Sequence, residues 1–141
     1  MHTGKGQVVE LILENGLRQA RISCPADLVP APGQYLLAGA ASPSDPLPVP
    51  LFSTESTPLG FTACAPIPET WTPGTEITLR GPLGRGFTLP FSARKVALVP
   101  FDGPPARLRS LIRPALGLGA GVVLVSDSDG EYLPDEVEVQ P

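Results

Sequence analysis

Histidine, cysteine, basic charge and long apolar runs are all scarce in this chain of 141 residues. The single histidine, His2, stands beside the N-terminus, where a chain end is expected to be disordered, so Ser/His/Asp and Cys/His catalysis have no support. A Gly-x-Ser-x-Gly nucleophile turn is missing as well. The two cysteines, Cys24 and Cys64, lie too far apart for a metal knuckle or a disulfide framework and read as reduced, buried core thiols. Ten basic residues against 14 acidic ones leave a net charge of -4. A sequence-independent nucleic-acid binder needs a basic face to displace counterions, so nucleic acid and anionic membrane are not expected partners. The longest strongly apolar stretch, Ala115 to Val125, is interrupted by glycine and falls well short of the ~20 residues of a membrane span. Met1 to Gly6 has no apolar core of the signal-peptide kind, and a cytoplasmic location is expected.

Proline and glycine, by contrast, are abundant, at 19 and 15 residues. That approaches the level of low-complexity chains, but 42% of residues are hydrophobic and only 17% charged, so the chain can bury a core. Its length suits one domain, or one small domain plus part of a second.

From Gln7 to about Phe91 short strands follow one another at close spacing: Val8–Leu13, Gln19–Cys24, Gln34–Ala38, Pro50–Thr54, Gly60–Ala65 and Glu76–Arg80, with no helical pattern among them. Asn15-Gly16 supplies the positive torsions of a tight hairpin, so the first two strands should pair. Prolines 43, 46, 48 and 50 mark a stiff surface loop or edge. After Phe91 the pattern changes. Val96–Val99 and Val122–Val125 are continuous apolar strands of the parallel-sheet kind. Between them Leu108, Leu111, Ile112, Ala115 and Leu116 share a helical face, with Pro104 and Pro105 suited to its first turn and Gly117 or Gly119 to its end. Pro114 should kink this helix or end it near Arg113. Val137 to Val139 is a candidate third strand. The expected fold is an antiparallel β-barrel over residues 1–92 followed by a truncated α/β (βαβ) lobe over 93–141.

Pro32-Gly33-Gln34-Tyr35, Leu51-Phe52-Ser53 and Gly81-Pro82-Leu83-Gly84-Arg85-Gly86-Phe87, followed by a βαβ unit, resemble in order and spacing the ferredoxin–NADP reductase superfamily. Within it the nearest likeness is to the electron-transfer subunits of dihydroorotate dehydrogenase. The resemblance implies a barrel that holds FAD or FMN and an α/β lobe that holds NAD(P)H. The family's flavin motif is Arg-x-(Tyr or Phe)-(Ser or Thr): the ring stacks on the flavin, the hydroxyl bonds near its reactive nitrogen, and the arginine clamps phosphate. Phe52 and Ser53 match the last two positions, and Pro50 stands where the arginine belongs. Proline makes no bidentate contact to phosphate.

Ala65 to Ile77, where the family has a glycine-rich turn and a diphosphate-binding helix, has prolines 66, 68 and 73 and only Gly74. Pro100 to Ala106 is an equally poor nucleotide turn, with Asp102 suited to capping or turning. No cysteine follows Cys64, so the electron-transfer subunits' [2Fe–2S] cluster cannot be built from this chain. Three further features read as surface: a basic helix side at Arg107, Arg109 and Arg113, the Asp127–Glu131 turn with its faint likeness to a calcium loop, and the Gly81–Phe87 turn out of the barrel.

The expectation is a degenerate ferredoxin-reductase-like module, without cofactor, acting as an accessory or interaction subunit and associating with itself or a partner protein through its open sheet. The alternative is a flavin-binding electron-transfer subunit that needs a partner chain. It would hold FAD or FMN through Phe52 and Ser53, bordered by Gly81, Gly84, Arg85 and Gly86.

Overall fold

The computed structural model describes residues 1–14, 16–39, 43–44, 48–64, 66–100, 105–126 and 133–140. The chain divides into two compact units, Met1–Phe87 and Thr88–Pro141.

The first unit is a closed antiparallel barrel of six strands: β1 (His2–Glu14), β2 (Leu17–Ser23), β3 (Tyr35–Ala38), β4 (Val49–Thr57), β5 (Gly60–Ala63) and β6 (Glu76–Leu83), in the order β1-β2-β5-β4-β3-β6. Alternate residues turn inward, so Val8, Ala20, Ile22, Leu36, Leu51, Phe61, Ala63 and Leu79 build one buried core. The first two strands pair, as the hairpin reading requires; Asn15 itself lies outside the described residues.

β1 begins six residues before the expected Val8. Its first half pairs with β6, from His2 opposite Gly81 to Gln7 opposite Glu76, and its second half pairs with β2. His2 is therefore in a strand, with its Nδ1 3.5 Å from Asp27 Oδ2, and not in a disordered end. This half was hidden because its inward positions are glycines, which carry no hydrophobic signal. A Cβ on Gly6 would lie 2.6 Å from Leu79 Cδ1, and one on Gly4 2.8 Å from Leu28 Cδ1, so the two positions are empty to admit those leucines. Irregularities at Val8/Glu10, Tyr35/Leu37 and Ser53/Glu55 bend the sheet enough to close it. A 3-10 turn, Ala26–Leu28, adds Leu28 to the core.

The second unit is a parallel sheet of three strands, β7 (Lys95–Leu98), β8 (Gly121–Val125) and β9 (Val137–Gln140), in that order. Leu111, Ile112 and Ala115 pack on Leu98, Val122, Leu124 and Val137. The crossover differs from the expected single helix. Pro105–Leu111 is 3-10, and α1 covers only Ile112–Gly117. Pro114 does not end the helix but sits in its first turn, where an amide has no partner to lose. Arg109 thus lies on a different kind of turn from Arg113, and Arg107 and Arg109 are half-buried; only Arg113 is fully at the surface. Gly119 (φ 78°) ends the helix: its amide donates to Leu116 O at 2.9 Å and that of Ala120 to Ala115 O at 3.2 Å, a Schellman arrangement. Asp102 and Pro104, and the Asp127–Glu131 turn, lie outside the described residues. Among the described residues no helix is long and apolar enough to cross a membrane, and no cluster of His, Cys, Asp and Glu is arranged to hold a metal ion.

Candidate functional site

The residues singled out around Phe52 and Gly81–Phe87 converge on the outer face of β4, β3 and β6. Along β4 exposure alternates: Val49, Leu51 and Ser53 are buried, whereas Pro50 is exposed and Phe52 half-buried on the outside. Tyr35 of β3 stands opposite both Phe52 and Leu83. Its ring lies 5.6 Å from that of Phe52 with 36° between their planes. The two rings form an amphipathic, partly solvent-facing platform, tilted against each other within the contact distance of aromatic pairs.

The glycine-rich segment frames this platform and is held by the chain itself. Gly84 (φ 82°) passes over Tyr35, where a Cβ would lie 3.4 Å from the ring. Gln34 ties the two segments together, its Nε2 donating to Gly84 O at 3.3 Å while its Oε1 accepts from Ala31 N at 3.1 Å. The Phe87 amide donates to Pro32 O at 2.8 Å, and the Phe87 ring covers Gly33, where a Cβ would come within 2.9 Å of it. Gly81 and Gly86 are accounted for in the same way, by Leu36 and by Pro32 O. Arg85 is exposed at the tip of the loop.

Ser53 does not join Phe52. Consecutive strand residues point to opposite sides, and Ser53 faces the barrel interior at 5% exposure, opposite Ala63, its hydroxyl donating to Glu55 O at 3.2 Å across the local bulge. The structure thus links Phe52 to Gly84 through the Tyr35 ring, leaves Arg85 exposed on the loop beyond Gly84, and sets Ser53 apart from them. It adds Tyr35, whose only signal was its place at the end of Pro32-Gly33-Gln34-Tyr35, and Arg80, an exposed β6 side chain outside every motif.

The positions that the sequence resemblance assigns to phosphate have a different character. Pro50 is on the stretch of β4 that pairs with β3 alone, β5 joining only from Ser53 onward, so its missing amide is tolerated. No described residue from 66 to 75 is helical. Instead Trp71, fully buried, and Ile67 fill the barrel core. Arg18 clamps this segment, its Nη2 donating to Trp71 O at 2.9 Å and its Nη1 to Pro68 O at 3.4 Å. Thr72 to Thr75 then turns into β6, with the Gly74 amide donating to Val8 O at 2.7 Å. The outer face therefore fits a flavin ring, whereas Pro50 and the Trp71 segment do not fit a diphosphate held in the family manner.

Neither cysteine belongs to this site. Cys64 is buried, and Cys24, expected to be buried, is half-buried at a shallow groove of about 370 Å³ with Lys5, Gln7 and Glu76. Partial burial, and secondarily the Asp27 carboxylate, push the Cys24 thiol up from its ordinary value.

A closed six-stranded antiparallel barrel with a smaller parallel sheet and short helix is the fold of ferredoxin reductases among solved structures. Among solved structures the chain is similar to the ferredoxin reductase in carbazole 1,9a-dioxygenase (TM-score 0.73, 20% identity, covering 98% of this chain and 48% of that one). It is similar also to the ferredoxin-NADP+ reductase of Plasmodium falciparum (0.70, 10%, 96% and 72%) and to the siderophore interacting protein of Acinetobacter baumannii (0.64, 18%, 99% and 66%). The chain spans about half the length of the first of these. No family model and no curated protein sequence matches it.

Proposed function

We propose that the chain is a flavin-binding electron-transfer module that works with a partner chain. The observation that carries this reading is the Tyr35–Phe52 pair, two aromatic rings held on the outer face of the barrel beside a glycine-rich loop. A flavin, when bound, accepts a hydride or an electron pair and passes electrons on singly. The chain's own part is to bind and orient the ring. Phe52 and Tyr35 supply apolar contact, and Gly84, pinned by Gln34, lets the loop lie against the Tyr35 ring without a side chain between them. The reductases of the same fold, one of them solved also in an FAD-free form, support the reading at the level of architecture.

The test is the visible absorption spectrum of the purified chain before and after addition of FMN and FAD, followed by gel filtration. Flavin bands that travel with the protein are the expected result, and a protein that stays colourless at excess flavin removes the reading. The latter outcome would favour the second reading, a cofactor-free accessory module, for which Pro50 and the buried Trp71 speak. NADH alone should leave the melting temperature unchanged under either reading.

A further inference from the structure

Resting on the flavin reading just given, we infer that Arg80 holds the phosphate of a flavin mononucleotide, taking over from another strand the role closed to Pro50. The register carries the argument. Phe52 and Tyr35 form one cross-strand row on the outer face; Pro50, Leu37 and Arg80 form the next, because Leu37 pairs with Pro50 on one side and with Arg80 on the other. Position 50 and Arg80 thus lie in the same row, flanking β3, with their backbones roughly 10 Å apart at a spacing of ~4.8 Å per strand. On β3 and β4 the rows are separated by two residues, about 6.6 Å, which a ribityl chain crosses easily, and on β6 the irregularity between Leu83 and Arg80 adds one residue to that step.

Arg80 is exposed on this face, while its neighbour Leu79 points into the core. Among the described residues the Arg80 side chain has neither an ion pair nor a hydrogen bond, so its guanidinium is available for a bidentate contact to phosphate. An arginine set one row from an aromatic platform is the spacing a mononucleotide needs. A dinucleotide would need a second phosphate seat, and the segment that would supply one is committed to burying Trp71. The inferred ligand is therefore FMN, with FAD binding no better.

Titrating the full chain with riboflavin, FMN and FAD by flavin fluorescence separates the parts of this inference. FMN should bind roughly tenfold more tightly than riboflavin, and FAD no more tightly than FMN. Arg80→Ala should abolish the FMN advantage while leaving riboflavin affinity unchanged, Arg80→Lys should keep part of it, and added salt should erode it. Equal binding of riboflavin and FMN, or an FMN advantage that survives in Arg80→Ala, overturns the role of Arg80 and leaves the ring platform standing. Failure of all three flavins to bind overturns the flavin reading, and the inference with it.

Discussion

Trp71 belongs to the buried core of the barrel. It is the largest fully buried side chain among the described residues. Trp71→Ala is expected to cost about 3–5 kcal/mol, the range for emptying a large aromatic site, and urea denaturation of the two proteins would measure it. Pro50→Arg is expected to leave FAD affinity unchanged in a fluorescence titration, because restoring one phosphate contact does not move Trp71. The two thiols should separate in a labelling experiment. Cys24, half-buried with its thiol pushed above the usual value, should react with a disulfide reagent slowly near neutrality and faster as the pH is raised past 9; Cys64 should react only on unfolding. A raised thiol pKa binds its proton more tightly in the folded state, so this group's contribution to stability is present at neutral pH and is lost as the pH climbs through the alkaline range.

At the scale of elements, the strands with apolar alternation were legible and those built on glycine were not. Val122–Val125 and Val96–Val99 are legible because every residue is apolar, although the second strand runs Lys95–Leu98; the first half of β1 is not, because Gly4 and Gly6 occupy its inward positions. The crossover was legible as a buried face but not as a conformation, since Leu108, Leu111 and Ile112 meet the core equally well from a 3-10 turn that runs into a short helix. On β4 the half-exposed Phe52 and the buried Ser53 both follow from strand alternation. The cross-strand rows that join Arg80 to Pro50 depend on pairing register, which no local pattern encodes. The helix end offers a clean test. Gly119 adopts φ 78° with open space around its missing Cβ, so Gly119→Ala meets no clash and pays only the left-handed backbone cost. A loss of about 1 kcal/mol is expected, readable as a lowered melting temperature by circular dichroism.

For the molecule as a whole, the two units are built on opposite plans. The barrel closes its sheet and leaves no edge, whereas the α/β unit has open edges along β7 and β9 among the described residues. A unit of this size buries only about 60% of the surface its unfolded chain exposes, which makes it marginal in isolation. We therefore predict that the chain associates, with itself or with a partner subunit, through the three-stranded sheet. Light scattering should report a mass above 14.7 kDa for the purified protein, and a strictly monomeric mass across the micromolar range would count against self-association.

The chain has one tryptophan, and it lies inside the barrel. Its emission is therefore an optical label that nature has already placed, and a signal from Trp71 reports the packing of the barrel core. Melting followed by far-ultraviolet ellipticity and by tryptophan emission need not coincide. A transition visible in the first and silent in the second marks the α/β unit coming apart while the barrel stands.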